Sequence, residues 1–260
     1  MSSHLQKKQL GPSIGPDRQK ELLDIFDRLY RAFGPRHWWP AETPFEVCVG
    51  AILTQSVSWR NVERAIAALR QAGLLDPARL AAAPPELVES CIVPTLYYRV
   101  KARKLKAFVS HLMDKCGGDL ALLFAGRTDD VRREVLGIWG IGSETADDML
   151  LYAGGHPVFV VDAYTKRIFA RLGGFDPPLS EKAPYAAVQE FFYRNLPLDV
   201  GLFNEYHALL DRLGNQVCLN KKPRCGECPL AVRCRTAWEE SRTAVENPTE
   251  RIDRTNRKRR

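Results

Sequence analysis

Apolar positions along this chain recur at helical intervals, and they almost nowhere alternate. Leu22, Leu23, Phe26, Leu29, Tyr30 and Phe33 share one face of a run that begins behind Asp17, a candidate N-cap, and stops at Gly34-Pro35. Comparable patterns predict helices over about 45–55, 61–71, 85–91, 98–116, 120–125, 129–136, 144–152, 164–171, 181–195 and 200–217. No alternating run is bounded by hairpin turns, so the expected class is all-α, with short connections packing neighbouring helices together. The segment ending Gly11-Pro12-Ser13-Ile14-Gly15-Pro16 reads as a flexible leader, residues 1–16. No internal repeat interrupts the pattern.

Composition narrows the class. With 45% hydrophobic and 27% charged residues, the chain is too apolar to be disordered throughout. Its longest apolar stretches, such as 157–161, fall far short of the roughly 20 residues that span a bilayer, so no membrane role is expected. The N-terminus lacks the apolar region of a secretory signal, which predicts a cytoplasmic protein whose seven cysteines stay reduced. Net charge is +7, but residues 251–260 alone carry +5, leaving +2 for the rest. A basic tail, residues 237–260, is therefore expected either to bind polyanions as a mobile arm or simply to aid solubility.

Four cysteines fall within one 17-residue stretch, Cys218, Cys225, Cys228 and Cys234. A four-thiolate zinc site usually presents two close pairs; one close pair flanked by single cysteines leans toward a [4Fe–4S] cluster while leaving zinc open. Lys221 and Arg224 stand inside this stretch, where a pinned basic loop can meet phosphates. Cys48, Cys91 and Cys116 sit in apolar helical patterns and read as core.

A second cluster of signals lies upstream. Gly140 and Gly142 form a tight turn between two helical patterns, the second starting near Ser143. Backbone amides there can face an anion such as a DNA phosphate, making Gly140, Gly142, Ser143 and Thr145 candidate DNA contacts. Downstream, the apolar run Val160-Val161 delivers Asp162 to the start of the next helix, where it also suits an N-cap that favours the ionised carboxylate.

Taken with Leu53-Thr54-Gln55, Tyr98, Lys101-Ala102, and His207 with Gly214, these motifs resemble the helix-hairpin-helix DNA glycosylases of the endonuclease III superfamily over roughly Asp17 to Cys234. The resemblance implies a monomer on duplex DNA, associated with the nucleoid, whose damaged base is flipped between two helical lobes. A six-helix barrel lobe would take residues 44–157 and a cluster-bearing lobe residues 17–43 with 158–236. The resemblance also favours [4Fe–4S] at the four cysteines. It makes Asp162 the catalytic carboxylate, stabilising oxocarbenium character at the sugar. Bifunctional members carry a nucleophilic lysine where this chain has Glu144, which implies base release without strand cleavage. Glu144 reads as a solvent-facing helix residue ahead of a directly catalytic one.

Within the superfamily, Trp38-Trp39-Pro40 followed by Phe45, the hairpin 140–147 and Pro94-x-x-x-Tyr98 look most similar to the MagIII-type 3-methyladenine glycosylases, although that branch lacks the cysteine cluster. Trp38, Trp39, Pro40 and Phe45 are then candidate walls of a pocket for an alkylated purine, whose positive charge suits aromatic faces. The tryptophans read equally as packing anchors. Gln55 is a candidate for filling the gap left by the extruded base, with Tyr97 in the segment 95–97 as a wedge from the other side. His207 reads as a buried structural histidine. The alternatives are an endonuclease III-like glycosylase for oxidised or mismatched pyrimidines, and a catalytically silent iron–sulfur DNA-binding protein.

Overall fold

The computed structural model describes residues 16–176 and 178–246; most of the expected leader and the basic run 251–260 lie outside the described residues. Among the described residues the regular structure is entirely helical, and no helix is long and apolar enough to cross a membrane. The α-helices run α1 (Pro16–Phe33), α2 (Pro44–Leu53), α3 (Trp59–Gln71), α4 (Pro77–Ala82), α5 (Pro85–Ile92), α6 (Tyr98–Cys116), α7 (Leu120–Leu123), α8 (Thr128–Leu136), α9 (Ser143–Asp148), α10 (Ala163–Leu172), α11 (Tyr185–Asn195), α12 (Val200–Gln216) and α13 (Arg235–Glu246). A wider π turn, Met149–Ala153, continues α9.

Local chemistry explains most boundaries. Thr43, Asp76, Asp119, Asp162 and Asp199 each accept a backbone N–H from the first turn of the helix they precede. Asp17 is not such a cap: the helix already includes Pro16, whose missing N–H costs nothing in a first turn, and Asp17 becomes an acidic first-turn residue. The helix expected over 181–195 begins only at Tyr185, behind Pro184. Two helices have no counterpart in the periodicity. α4 is too short to show one, and α13 occupies the first part of the segment read as a basic tail.

Two hydrophobic clusters form the interior. One gathers buried side chains of α2 to α6, α8 and α9, including Ile52, Leu69, Leu105 and Phe108. The other joins α1 to α10, α11 and α12 through Leu22, Ile25 and a stack of rings, with Phe159 and Phe192 centroids 3.8 Å apart. The apolar run after the π turn passes between them. Val158 packs in the first cluster, and Phe159, Val160 and Val161 pack in the second. Both ends of this extended segment are therefore anchored by burial, and it sets Asp162 down where the clusters meet a cavity.

Candidate active site

The cavity, of about 520 Å³, is lined from α9 by Glu144 and Asp148, from the start of α10 by Asp162 and Tyr164, and from α12 by His207, Asp211 and Asn215. Its opposite wall is Trp38, Trp39 and Trp59 with the turn 54–58. Asp162 Oδ1 accepts the Thr165 N–H at 2.6 Å, which fixes the carboxyl and leaves Oδ2 facing His207 Nε2 at 3.8 Å. His207 is buried, its Nδ1 meets the Tyr152 hydroxyl at 2.7 Å, and desolvation holds its pKa below the usual imidazole value. It is therefore neutral at physiological pH. Gly214 makes this approach possible: a Cβ there would fall 2.5 Å from Tyr164, so α12 can lie against the start of α10 only without a side chain.

Four carboxyl groups share the space, and their environments differ. Burial, then the charge of Asp162, pushes Asp211 up to about 6. Glu144 stays exposed to the open cavity, yet loss of bulk water around its carboxyl and the nearby Asp162 charge push it up to about 7. Asp148 is raised well above the ordinary carboxylate range by burial, with Glu144 and Asp162 adding to it, and among the described residues its Oδ1 has no hydrogen-bond partner. The cavity can thus present neutral acids beside Asp162, whose Oδ1 is held by the Thr165 N–H.

The aromatic wall is a connected cluster. Trp38 lies 4.9 Å from Trp59 between ring centroids, and Trp39 packs edge-on against Trp59 at 5.3 Å and against Tyr152 at 5.4 Å. Of the residues the sequence suggested as pocket walls, Trp38 and Trp39 face the cavity. Pro40 lies on the far side of Trp39, lining a second recess with Glu46 and Arg70. Phe45 is in the core, stacked on Phe108, because the inward face of α2 carries it away from the cavity. Trp59, Asp148 and Asp211 were missed. Helical spacing was the available signal, since Asp148 lies one turn after Glu144 and Asp211 one turn after His207.

The hairpin adjoins this cavity. Gly140 takes φ 86°, and a Cβ there would fall 2.5 Å from the Lys104 side chain; Gly142 has open space where its side chain would be. Gln55 does not project freely. Its Nε2 donates to Thr145 Oγ1 at 2.9 Å, while Lys104 Nζ donates to its Oε1. Buried Lys101 donates to the carbonyls of Leu53 at 2.8 Å and Thr95 at 2.6 Å, tying the Gln55 turn to the segment carrying Leu96 and Tyr97. Both of those side chains are exposed, at left-handed φ of 56° and 43°. Trp139, just before the turn, lies half-exposed under Arg103, whose guanidinium is 4.7 Å from the ring centroid. Ser143 opens α9 with Gly142 as its cap.

Farther along the chain, Cys218, Cys225, Cys228 and Cys234 line one apolar pocket with Val217, Pro223 and Ala237. Among the described residues no three of His, Cys, Asp or Glu are grouped to hold a metal ion. Arg171 Nη1 approaches Cys218 Sγ at 3.3 Å, and burial pushes the Cys225 thiol up to about 12 and raises that of Cys228. Four thiols around one pocket, with a guanidinium to offset thiolate charge, are a donor set that fits either a [4Fe–4S] cluster or zinc. Lys221 and Arg224 are exposed on the same loop.

Residues 49–192 match the HhH-GPD superfamily base excision DNA repair protein family. The chain belongs to this family of DNA glycosylases. Within it, a Methanocaldococcus jannaschii protein provisionally named a DNA repair glycosylase is 41% identical over 217 residues, 82% of this chain and 95% of that protein. The HhH-GPD fold recurs in a non-covalent endonuclease III–DNA complex, with a TM-score of 0.73 and 24% identity over 86% of this chain and 98% of that one. It also recurs in the H. pylori 3-methyladenine DNA glycosylase MagIII bound to 1,N6-ethenoadenine, with a TM-score of 0.64 and 24% identity over 78% and 98%. In backbone, then, this HhH-GPD chain is nearer to the endonuclease III structure than to the MagIII structure.

Proposed function

We propose that this chain is a monofunctional DNA glycosylase that hydrolyses the N-glycosidic bond of an alkylated purine extruded from duplex DNA. The observation that carries the reading is a cavity lined by Asp162, three tryptophans and Glu144; by the family resemblance, Glu144 stands where bifunctional members carry their lysine. A base alkylated on a ring nitrogen is cationic, stacks favourably on indole faces and leaves readily. Asp162 then stabilises positive charge developing at C1′ and takes the proton of the attacking water. Among the described residues that line the cavity none carries an amine, so no imine forms with the sugar, and the product is an intact abasic strand.

Duplex DNA would run across the hairpin, with Gly140, Gly142, Ser143 and Thr145 meeting a phosphate, and Lys221 and Arg224 a second one. Gln55 and Tyr97 would enter the gap from opposite sides, Gln55 after releasing Thr145. Residues 17–43 with 158–236 and residues 44–157 are read as the two lobes of a monomer that works on the cytoplasmic nucleoid. Cys218, Cys225, Cys228 and Cys234 would hold a [4Fe–4S] cluster, which when bound supplies a rigid tie for the loop 218–234. Base hydrolysis itself consumes no electrons. Purified protein should contain about four irons per chain; stoichiometric zinc without iron would defeat this assignment.

The deciding experiment uses duplexes carrying 3-methyladenine, an oxidised pyrimidine or a uracil mismatch, scored for base release with and without alkali. Release of 3-methyladenine with strand breaks only after alkali supports the reading. Alkali-independent breaks on oxidised pyrimidine point instead to an endonuclease III-like activity with another nucleophile. Tight binding with no base released from any duplex leaves a DNA-binding protein.

A further inference from the structure

Asp148 is unlike every other acid of the cavity. It is only 4% exposed, it lies on the cavity wall, and among the described residues its Oδ1 has no hydrogen-bond partner. The same is true of one atom across from it on α12, His207 Nε2, so two buried polar atoms without partners border one space. The groups around Asp148 are mostly acidic. Glu144 and Asp147 come from its own helix, Tyr152 from the π turn, Asp162 from the start of α10, and Asp211 with His207 from α12. Lys166 bears on Glu144, but its ammonium donates to the Ala183 carbonyl at 2.8 Å. A carboxylate without donors and among other acids is unfavourable, whereas a neutral carboxyl carries one O–H that needs an acceptor. A molecule that enters the cavity can supply that acceptor.

We infer that Asp148 is a second catalytic group, donating its carboxyl proton to the departing base and so extending the cavity's activity to uncharged alkylated purines such as 1,N6-ethenoadenine. This rests on the glycosylase reading above. A purine methylated at N3 or N7 is cationic and departs as a neutral molecule. An etheno ring leaves the purine uncharged, and its departure creates an anion unless a proton arrives with bond breaking. In the step proposed, the C1′–N9 bond breaks with its electron pair going to the purine, and the Asp148 proton moves to a ring nitrogen of that purine. The water oxygen bonds to C1′, and Asp162 takes the water's proton. Exchange with solvent in the open cavity then returns a proton to Asp148.

The test compares wild type with Asp148→Asn in single-turnover release of 7-methylguanine and of 1,N6-ethenoadenine, across pH, with binding to an abasic-analogue duplex as a control. We expect ethenoadenine release to fall by about 100-fold or more, as removal of a general acid does. Release of 7-methylguanine should fall far less, so that the ratio of the two rates drops at least about tenfold while duplex binding holds. Wild-type ethenoadenine release should also decline at alkaline pH with a limb that the variant lacks. Equal losses on both substrates, lost duplex binding, or wild-type release of 7-methylguanine without ethenoadenine would overturn the inference alone. No release of either base by wild type would overturn the glycosylase reading with it.

Discussion

Asp147 and Asp148 are neighbours on α9, both buried, and they face opposite surroundings. Asp147 points into a socket of donors. Arg132 reaches its two oxygens at 2.6 and 3.1 Å, and the Tyr185 hydroxyl and Gln189 Nε2 each donate to Oδ2 at 2.7 Å. Gln189 also donates to the Phe159 carbonyl, so this carboxylate fastens the hairpin helix to α8, α11 and the segment leading to Asp162. One residue on, rotated by about a third of a turn, Asp148 meets the cavity and no donor for its Oδ1. Burial alone does not tell a structural acid from a functional one. Satisfaction of its oxygens does, because an unpaired buried carboxyl persists only at a cost to the fold.

The comparison can be broken by substitution. The largest expected effect is on the socket: Asp147→Ala should destabilise the protein by about 3–5 kcal/mol, since it strands Arg132 among buried groups. Denaturant unfolding would measure this, and a loss under about 1 kcal/mol would mean the socket is not what holds α9. Asp162→Asn should lower base release by about 10²–10³-fold, the scale of one lost electrostatic stabiliser, with duplex binding retained. Near-wild-type release would remove Asp162 from the chemistry.

Smaller effects sharpen the contrast. Asp211 and Glu144 have carboxyls raised by the fold, to about 6 and about 7, so the folded state holds their protons more tightly than the unfolded chain does. Their protonated forms therefore favour folding at low pH. That contribution drains away as pH rises from about 4 toward 7 and is gone above it. Asp211→Asn should match wild type in stability near pH 4 and exceed it by about 1–3 kcal/mol at pH 8. Thermal unfolding at the two pH values checks this, and equal stability at both would place Asp211 in ordinary solvent. Glu144→Gln should flatten the same slope more weakly, because Glu144 is open to the cavity; an unchanged slope would return it to a bland surface role.

The Asp147 socket also shows where sequence reading ran out. The hairpin Gly140-Ile-Gly142, the apolar delivery of Asp162 and the cap on Thr165 are local features, and each was legible from order and spacing. Trp38 and Trp39 were named as pocket walls from sequence, but the rest of the wall they belong to was not. Their partner Trp59 comes from α3, and the side of Trp39 that faces Asp162 depends on Tyr152 packing behind it. Phe45 looked like the continuation of that aromatic run and is core instead, because the second residue of α2 points at Phe108. Gln55 was read only as a residue that fills the gap left by an extruded base; its engagement with Thr145 and Lys104 joins three elements distant in sequence and was not legible.

By itself the order of residues determined the helical class, the hairpin, the capped aspartate, the absence of a lysine at position 144 and the clustering of four cysteines. These follow from periodicity, glycine and spacing, which act over a turn or two of chain. The tertiary structure alone decided which acids share a cavity, which have donors, and which have their pKa raised by burial. The pKa of Glu144, Asp148 and Asp211 is set by what surrounds them, and those surroundings are assembled from α9, α10 and α12, brought together only when the two hydrophobic clusters close.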